Sequence, residues 1–303
     1  MCEKTNDKFK SGYVAIVGRP NVGKSTLLNR LVGQKIAIIS PKPQTTRGKI
    51  LGIMHEDGFQ AVFTDTPGFH KPKNKLGENM VKAVNESIGD ADLVMMVVQA
   101  DKKVNEAEKS IISRLGTIPA ILVINKTDTV KKDLLLEVIS EYSSLFDFAD
   151  IVPVSARSGD NLDELRSVIK SHLPEGPMYY PEDMVTDQQE KQIVAEIIRE
   201  KMLILLRQEI PHGTAVEIVK MKYNENAERY DISANIFCEK ESHKGIIIGK
   251  GGKTLKEIGT RARIECEKLL DCKVYMQLWV KVKEDWRNSE NLMRELGIGD
   301  NNK

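Results

Sequence analysis

GRPNVGKS, residues 18–25, lies between the apolar run YVAIV (13–17) and a helix-like run that begins at Leu27. Gly18, Gly23, Lys24 and Ser25 meet the frame GxxxxGK[ST], and a strand before it with a helix after it is the context in which such a loop holds phosphate. Glycines let the backbone curl until its N–H groups face one anion, and the helix N-terminus adds partial positive charge. Lys24 would reach the β and γ phosphates of a nucleotide, and the Ser25 hydroxyl would ligate magnesium. Arg19, Pro20, Asn21, Val22 and Thr26 complete the expected nucleotide-binding loop.

Outward from this loop, the runs AVFT (61–64), LVMMVV (93–98), AILVIN (120–125) and DIVPVS (150–155) read as further buried strands. The stretches between them, such as LLLEVISEYSSLF and LDELRSVIKSHL, place apolar residues at helical spacing. Alternation of this kind is an α/β pattern with a mostly parallel sheet. Asp57-Gly58, between two strand-like runs, is a hairpin signal that adds one antiparallel pair, so the sheet is expected to be mixed.

Three short motifs each follow a strand. DTPG (65–68) ends the second one, where the switch point of such a sheet puts ligand-facing groups. Asp65 would hold magnesium through water, Thr66 and Pro67 would line the site, and the Gly68 amide would meet the γ phosphate. In NKTD (125–128), the Asp128 carboxylate can accept from two neighbouring N–H donors, which guanine offers and adenine does not. Asn125 can bridge base and loop, Lys126 can lay its stem along the ring, and Thr127 completes the turn. In SAR (155–157), the Ala156 amide could donate to the guanine carbonyl, with Ser155 beside it in the expected nucleotide site.

GRPNVGKS, QTTR (44–47), DTPG, NKTD and SA together resemble the five signature elements of the translation-factor-related GTPases. The resemblance implies a Ras-like G domain with a mixed six-stranded sheet, GTP and GDP as ligands, and magnesium. It makes Thr46 the switch threonine that closes on magnesium and the γ phosphate, with Thr45 the alternative, and it makes Lys24, Thr46 and Gly68 the catalytic set. Where Ras-like enzymes carry a water-orienting glutamine after the switch glycine, this chain has Phe69, which cannot hydrogen-bond water, so slow intrinsic hydrolysis is expected. Asn21 matches a position that in related GTPases helps bind potassium.

LPEGPMYYPED (173–183), with three prolines and a glycine, stops the last helix and reads as an extended connector. The expected organisation is a flexible N-terminus (1–11), a GTPase domain (12–173), a linker (174–186), a second domain (187–285) and a C-terminal helix or tail (286–303). Thr186 and Gln189 form a T-x-x-Q capping box ahead of an amphipathic helix over 187–209. Two strand-like runs follow, TAVEIVKMKY and YDISANIFC, then GIIIGKGG, a helical run over 252–270 and a last strand, KVYMQLWVKV. In that strand Trp279 is expected in the core, and Ile246, Ile247 and Ile248 are expected to pack a short helix.

Gly249-Lys250-Gly251-Gly252, entering a helix that starts near Lys253, is a GxxG element of the kind with which KH modules clamp the backbone of single-stranded RNA. Lysines and arginines outnumber acids around it, as a phosphate-tracking groove needs. The α-β-β-GxxG-α-β order resembles an α+β type II KH domain, and a G domain joined to one resembles a family of bacterial ribosome-associated GTPases. That resemblance implies rRNA binding near the 3′ end of 16S rRNA, maturation of the 30S subunit, an RNA-competent domain arrangement favoured by GTP, and peripheral association with the cell membrane. A monomer is expected.

The bulk properties narrow the alternatives. A net charge of +1 with 29% charged residues excludes a globally basic nucleic-acid binder and leaves room for a local basic face. Four cysteines without CxxC spacing suit a reducing compartment, and five scattered histidines give no zinc framework. No signal peptide or bilayer-length apolar run is present, so a cytoplasmic protein is expected. Two other readings remain: a P-loop ATPase or small-molecule kinase, against which NKTD argues, and a constitutive RNA binder whose G domain is vestigial, against which the intact Lys24, Ser25, Asp65 and Asp128 argue.

Overall fold

A computed structural model of the chain describes residues 8–42, 45–69, 72, 74–207 and 210–295. These fall into two compact units, the first drawn from Met1–Ala37, Thr46–Lys71 and Met80–Asp187, the second from Ile38–Thr45, Pro72–Asn79 and Gln188–Lys303.

In the first unit, β1 (Lys10–Val17) is buried on both sides: Val14 and Ile16 enter one core, Ala15 and Val17 the other. Such two-sided burial requires helices on both faces of the sheet. The first core takes Leu27, Leu28 and Leu31 of α1 (Lys24–Val32) and Leu162, Leu165 and Ile169 of α5 (Leu162–His172). The second takes Val84 and Ile88 of α2 (Lys75–Gly89), Ile111 of α3 (Glu106–Ile112), and Val138 and Tyr142 of α4 (Lys132–Ser143). At about 1.5–3 kcal/mol for each fully buried large apolar side chain, these layers dominate the unit's stability.

The sheet order is β2-β3-β1-β4-β5-β6, with β2 (Ile50–Glu56), β3 (Phe59–Asp65), β4 (Leu93–Gln99), β5 (Ala120–Asn125) and β6 (Asp150–Pro153). β2 runs antiparallel to β3 through the Asp57-Gly58 turn, and the other pairs are parallel. The mixed six-stranded sheet is therefore as expected, and the parallel strands β1, β3, β5 and β6 deliver GRPNVGKS, DTPG, NKTD and SA to one edge.

The stretch read as an extended connector is fastened to the first unit. The Gln60 side chain accepts from the amides of Tyr179 and Tyr180 at 2.9 and 3.1 Å, and Ile53 N donates to Val185 O at 2.9 Å. The Thr186 hydroxyl donates to Leu51 O at 2.6 Å, which corrects its expected role as a helix cap. Instead α6 (Glu190–Leu205) starts after Gln189, whose amide donates to Gln192 Oε1 at 3.2 Å.

The second unit is a three-stranded sheet, β7-β8-β9, built from β7 (Ala215–Asn224), β8 (Arg229–Cys238) and β9 (Lys273–Val282). β7 and β8 are antiparallel, with a bulge between Ile218 and Lys220, and β8 and β9 are parallel. Its core joins Ile193, Val194, Ile197 and Ile198 of α6 to Ile258, Ala262 and Cys266 of α8 (Lys253–Leu269) and to the inward residues of the sheet. The apolar face of α6 is thus taken up by this core. Among the described residues no helix is long and apolar enough to cross a membrane.

Two side-chain placements differ from expectation. Trp279 is 47% exposed, because Val274 and its β9 partners Met276, Leu278 and Val280 face the helices and put residues of the other parity on the opposite side. The buried indole is Trp286, whose Nε1 donates to Gly213 O at 3.0 Å. Within α7 (Glu241–Ile248), Ile247 is fully buried, Ile248 is half-buried and Ile246 is 51% exposed, so the three isoleucines do not pack alike. A short α9 (Glu290–Glu295) follows Ser289, whose Oγ accepts from Leu292 N at 3.4 Å. Gln44 of QTTR, Cys2 and the final residues 296–303 lie outside the described residues.

Candidate functional site

At the C-terminal ends of β1 and β3 the phosphate loop closes on itself. Gly23 has φ 105°, and a Cβ there would stand 2.2 Å from Asn125 Nδ2, so glycine is required on both counts. Lys24 is buried, and its Nζ donates to the carbonyls of Gly18 and Arg19 at 3.0 Å each. Burial pushes its ammonium down to about 8, with the Asp65 charge opposing the shift. A buried cation held by two neutral carbonyls lacks a full counter-charge, which an anion in the loop would supply.

Opposite it, three oxygens converge. Ser25 Oγ donates to Asp65 Oδ2 at 2.7 Å, Thr46 Oγ1 donates to the same atom at 3.2 Å, and the two hydroxyls lie 3.1 Å apart. Burial pushes the Asp65 carboxyl up, opposed by the Lys24 cation and by these two hydroxyls. The second carboxylate oxygen, Oδ1, is buried without a hydrogen-bond partner. Hard oxygen donors around an orphaned carboxylate oxygen fit a divalent cation. Among the described residues no group of three or more His, Cys, Asp and Glu could hold one alone. The Thr45 hydroxyl donates to Lys42 O at 2.8 Å.

DTPG packs against the loop. The Thr66 hydroxyl donates to Ile16 O at 2.7 Å, Pro67 and Gly68 are buried, and Phe69 N donates to Gly18 O at 3.1 Å. A Cβ on Gly68 would meet Pro20 at 2.7 Å. Phe69 lies beneath the Arg114 guanidinium, 4.8 Å from the ring centre, and its ring offers no group that orients water. Val22 is fully buried under the loop, Thr26 is half-buried on the first turn of α1, and Asn21 is exposed with φ 64°.

The base side is organised by Asn125. Its Nδ2 donates to Val22 O at 2.8 Å, and its Oδ1 accepts from the amides of Lys126 and Ala156 at 2.8 and 3.0 Å. One side chain thereby ties NKTD, the phosphate loop and SA together. Lys126 Nζ donates to Asn21 O at 2.7 Å, laying its stem across the site. Burial pulls the Lys126 ammonium down, with the Asp101 and Asp128 carboxylates opposing. Asp128 is exposed; its Oδ1 accepts from Ser155 Oγ at 2.7 Å, and Thr127 N donates to Val154 O at 3.2 Å.

Glu108 was missed at the level of sequence. It is fully buried, caps α3 by accepting from Asn105 N at 3.0 Å, and pairs its Oε1 with Arg19 Nε at 2.7 Å. The N-x-x-E pattern at 105–108 signals the cap, whereas the bond to the phosphate loop has no local signal.

In the second unit, Gly249 links α7 to the GxxG turn. A Cβ there would strike Thr254 Oγ1 at 2.2 Å, whereas Gly251, with φ 62°, and Gly252 would meet nothing within 4 Å. The first glycine is needed for packing; the other two leave backbone open to close approach. Lys250 within the turn and Lys253 at its exit are exposed and without an ion-pair partner among the described residues, while Arg261 and Arg263 pair with Glu257 and Glu267 at 2.6 and 2.7 Å. The positive charge is thus concentrated at the helix start, where it meets the N-terminal dipole.

Comparison with known proteins agrees on both units. Residues 13–126 match the family described as 50S ribosome-binding GTPase, and residues 209–287 match the KH domain family. GTPase Era of Clostridium kluyveri is 52% identical over 291 residues, covering 95% of this chain and 99% of the relative. GTPase Era of Clostridium botulinum strain Hall is 53% identical over 291 residues, covering 95% and 98%. A Tyr-to-Ala variant of Aquifex aeolicus Era bound to GDP·AlF4− is similar at a TM-score of 0.93 and 42% identity, over 96% of this chain and 100% of that one. Era in complex with MgGDPNP and nucleotides 1506–1542 of 16S ribosomal RNA gives the same TM-score, identity and coverage.

Proposed function

This chain belongs to the Era family of GTPases, and from that premise we propose a guanine-nucleotide switch that hydrolyses GTP in its first unit and clamps single-stranded 16S rRNA near its 3′ end in its second, acting in maturation of the 30S ribosomal subunit. The observation that carries the reading is the convergence of Ser25, Thr46 and Asp65 oxygens beside a buried Lys24, with Asn125 tying the base motifs to the same loop.

Lys24 exchanges its two carbonyl partners for the β and γ phosphates. Ser25 and Thr46 would hold magnesium, with Asp65 acting through water, and the ion would supply positive charge against the phosphate oxygens. Thr46, not Thr45, is assigned the switch because its hydroxyl already stands in the metal corner. The Gly68 amide takes the γ phosphate, so departure of that phosphate releases Thr46 and Gly68 together. Asp128 accepts from guanine N1–H and the exocyclic amine, and the Ala156 amide donates to the guanine carbonyl. With Phe69 in place of a water-orienting residue, intrinsic hydrolysis is slow, and Asn21 would help hold a potassium ion that would supply positive charge to offset part of that deficit.

In the second unit, Gly251 and Gly252 let a phosphate approach the open backbone, with Lys250 and Lys253 flanking it. Crosslinking of the protein to RNA in cells, followed by sequencing, tests the assignment. Reads are expected at the 16S 3′ end and lost in Gly251→Asp; diffuse reads unchanged by that substitution overturn the clamp.

A further inference from the structure

The sheet of the second unit presents one face to α6 and α8, and the strand register defines the other. Across β7, β8 and β9 it sets Lys222, Asp231 and Tyr275 in one row, Lys220, Ser233 and Gln277 in the next, and Glu217, Asn235 and Trp279 in a third. Tyr275 is 45% exposed and Trp279 is 47% exposed. They sit four residues apart on one strand, about 13 Å at the usual rise. Two large rings aligned on an exposed face are unusual where a polar surface would serve solubility alone.

The Tyr275 ring is held in place. The Arg229 guanidinium lies 4.7 Å from its centre, and Gln277 Nε2 donates to its hydroxyl at 3.1 Å. A ring fixed before binding loses less freedom when a ligand stacks on it.

Charge then selects the ligand. Of the two acids on the face, Asp231 accepts from Asn224 and Arg229 at 3.1 and 3.0 Å and is neutralised by the guanidinium, whereas Glu217 accepts from the neutral Asn235 at 2.9 Å and keeps its charge, one acid against several lysines. Lys222, Lys273 and Lys281 are exposed and have no ion-pair partner among the described residues, and Lys220 is exposed with only the electrostatic attraction of Asp231, which Arg229 already pairs. Exposed rings flanked by unneutralised lysines match a ligand that has both π faces and phosphates. Protein interfaces are enriched in aromatics but depleted of lysine, so the same face fits a protein less well.

We infer that this open sheet face is a second site for single-stranded RNA, where bases stack on Tyr275 and Trp279 and the backbone runs past Lys220 and Lys281. It lies on the opposite side of the sheet from α8, whose start carries the GxxG clamp, and so extends the RNA footprint beyond it. The inference rests on the function proposed above only in taking RNA as the ligand.

The test uses the full chain and a fluorescently labelled 12-nucleotide oligoadenylate RNA, with anisotropy reporting affinity and tryptophan emission reporting stacking. In Gly251→Asp protein the RNA still binds and quenches tryptophan emission, since Trp279 is accessible and Trp286 is buried. Trp279→Leu in that background abolishes the quench and weakens binding about five- to hundredfold. Lys281→Gln, which leaves the rings intact, keeps the quench and reduces the salt dependence of binding. The site is overturned if Gly251→Asp protein shows no quench, or if Trp279→Leu and Tyr275→Leu bind as wild type does. The clamp has its own failure, Gly251→Asp protein that binds the RNA as tightly as wild type while keeping the quench. A 12-base-pair RNA duplex binding as tightly as the single strand also overturns the stacking site.

Discussion

Ser25 Oγ and Asp65 Oδ2, forty residues apart in sequence, are joined by a hydrogen bond of 2.7 Å that closes the phosphate loop onto the end of β3. Each group prepares the other: the hydroxyl favours the ionised carboxylate that burial opposes, and the carboxylate fixes the hydroxyl that magnesium would use.

Asp65→Asn keeps the side-chain volume and removes the charge. Chelating magnesium is expected to weaken binding of a non-hydrolysable GTP analogue to the wild type about 10- to 100-fold. The variant is expected to be weakened to the same level with or without magnesium. Displacement of a fluorescent guanine nucleotide measures both; full magnesium dependence in the variant removes Asp65 from the metal corner.

Asp128→Asn replaces a two-lone-pair acceptor with a group that presents one carbonyl and one amine. Loss of hydrogen bonds to a charged acceptor, at about 1.5–3 kcal/mol each, predicts a drop in GDP affinity of at least about tenfold. Xanthosine diphosphate, which has a carbonyl where guanine has its amine, is expected to gain. Competition binding with the two nucleotides decides, and unchanged preference for guanine contradicts the assignment.

How much of this was legible in sequence follows from which interactions are local. The loop, the hairpin turn at Asp57-Gly58 and the order of motifs after strands depend on neighbouring residues, and the fold bears them out. KVYMQLWVKV carries large apolar side chains at both parities, so the strand alone does not say whether Trp279 or Leu278 faces the core. The helices α6 and α8 decide that from a distance. Thr186 has the right spacing for a cap, yet its hydroxyl meets Leu51 O, 135 residues away in sequence. The Arg19–Glu108 pair spans 89 residues and was invisible for the same reason.

Asn21 sits on the phosphate loop with an exposed side chain and φ 64°. Replacing sodium by potassium is expected to raise the GTP turnover number at least about tenfold, well below the 10³-fold or more of an arginine finger. Asn21→Ala is expected to erase the difference. Equal phosphate release in the two salts refutes the potassium site.

Cys266, buried in the second core, has its thiol pushed up to about 12 by burial, with the neighbouring Glu265 carboxylate adding to the shift. The unfolded thiol ionises near 9 while the folded one stays protonated. Above that pH the unfolded chain therefore binds fewer protons, and stability falls as pH rises toward 12, by about 1.4 kcal/mol per pH unit from this group. Urea unfolding of the second unit between pH 8 and 10.5 reads the slope; Cys266→Ala is expected to flatten it, and identical slopes contradict the account.

The central claim is that guanine nucleotide and RNA are coupled through one chain. Labelled RNA carrying the 16S 3′ end, titrated against the protein saturated with GDP or with a non-hydrolysable GTP analogue in magnesium, measures it most directly. The account predicts about fivefold or greater tightening with the analogue, and an equal gain in analogue affinity when RNA is present, because the coupling is reciprocal. Identical RNA affinity in the two nucleotide states would contradict it, leaving two binding sites on one chain and no switch.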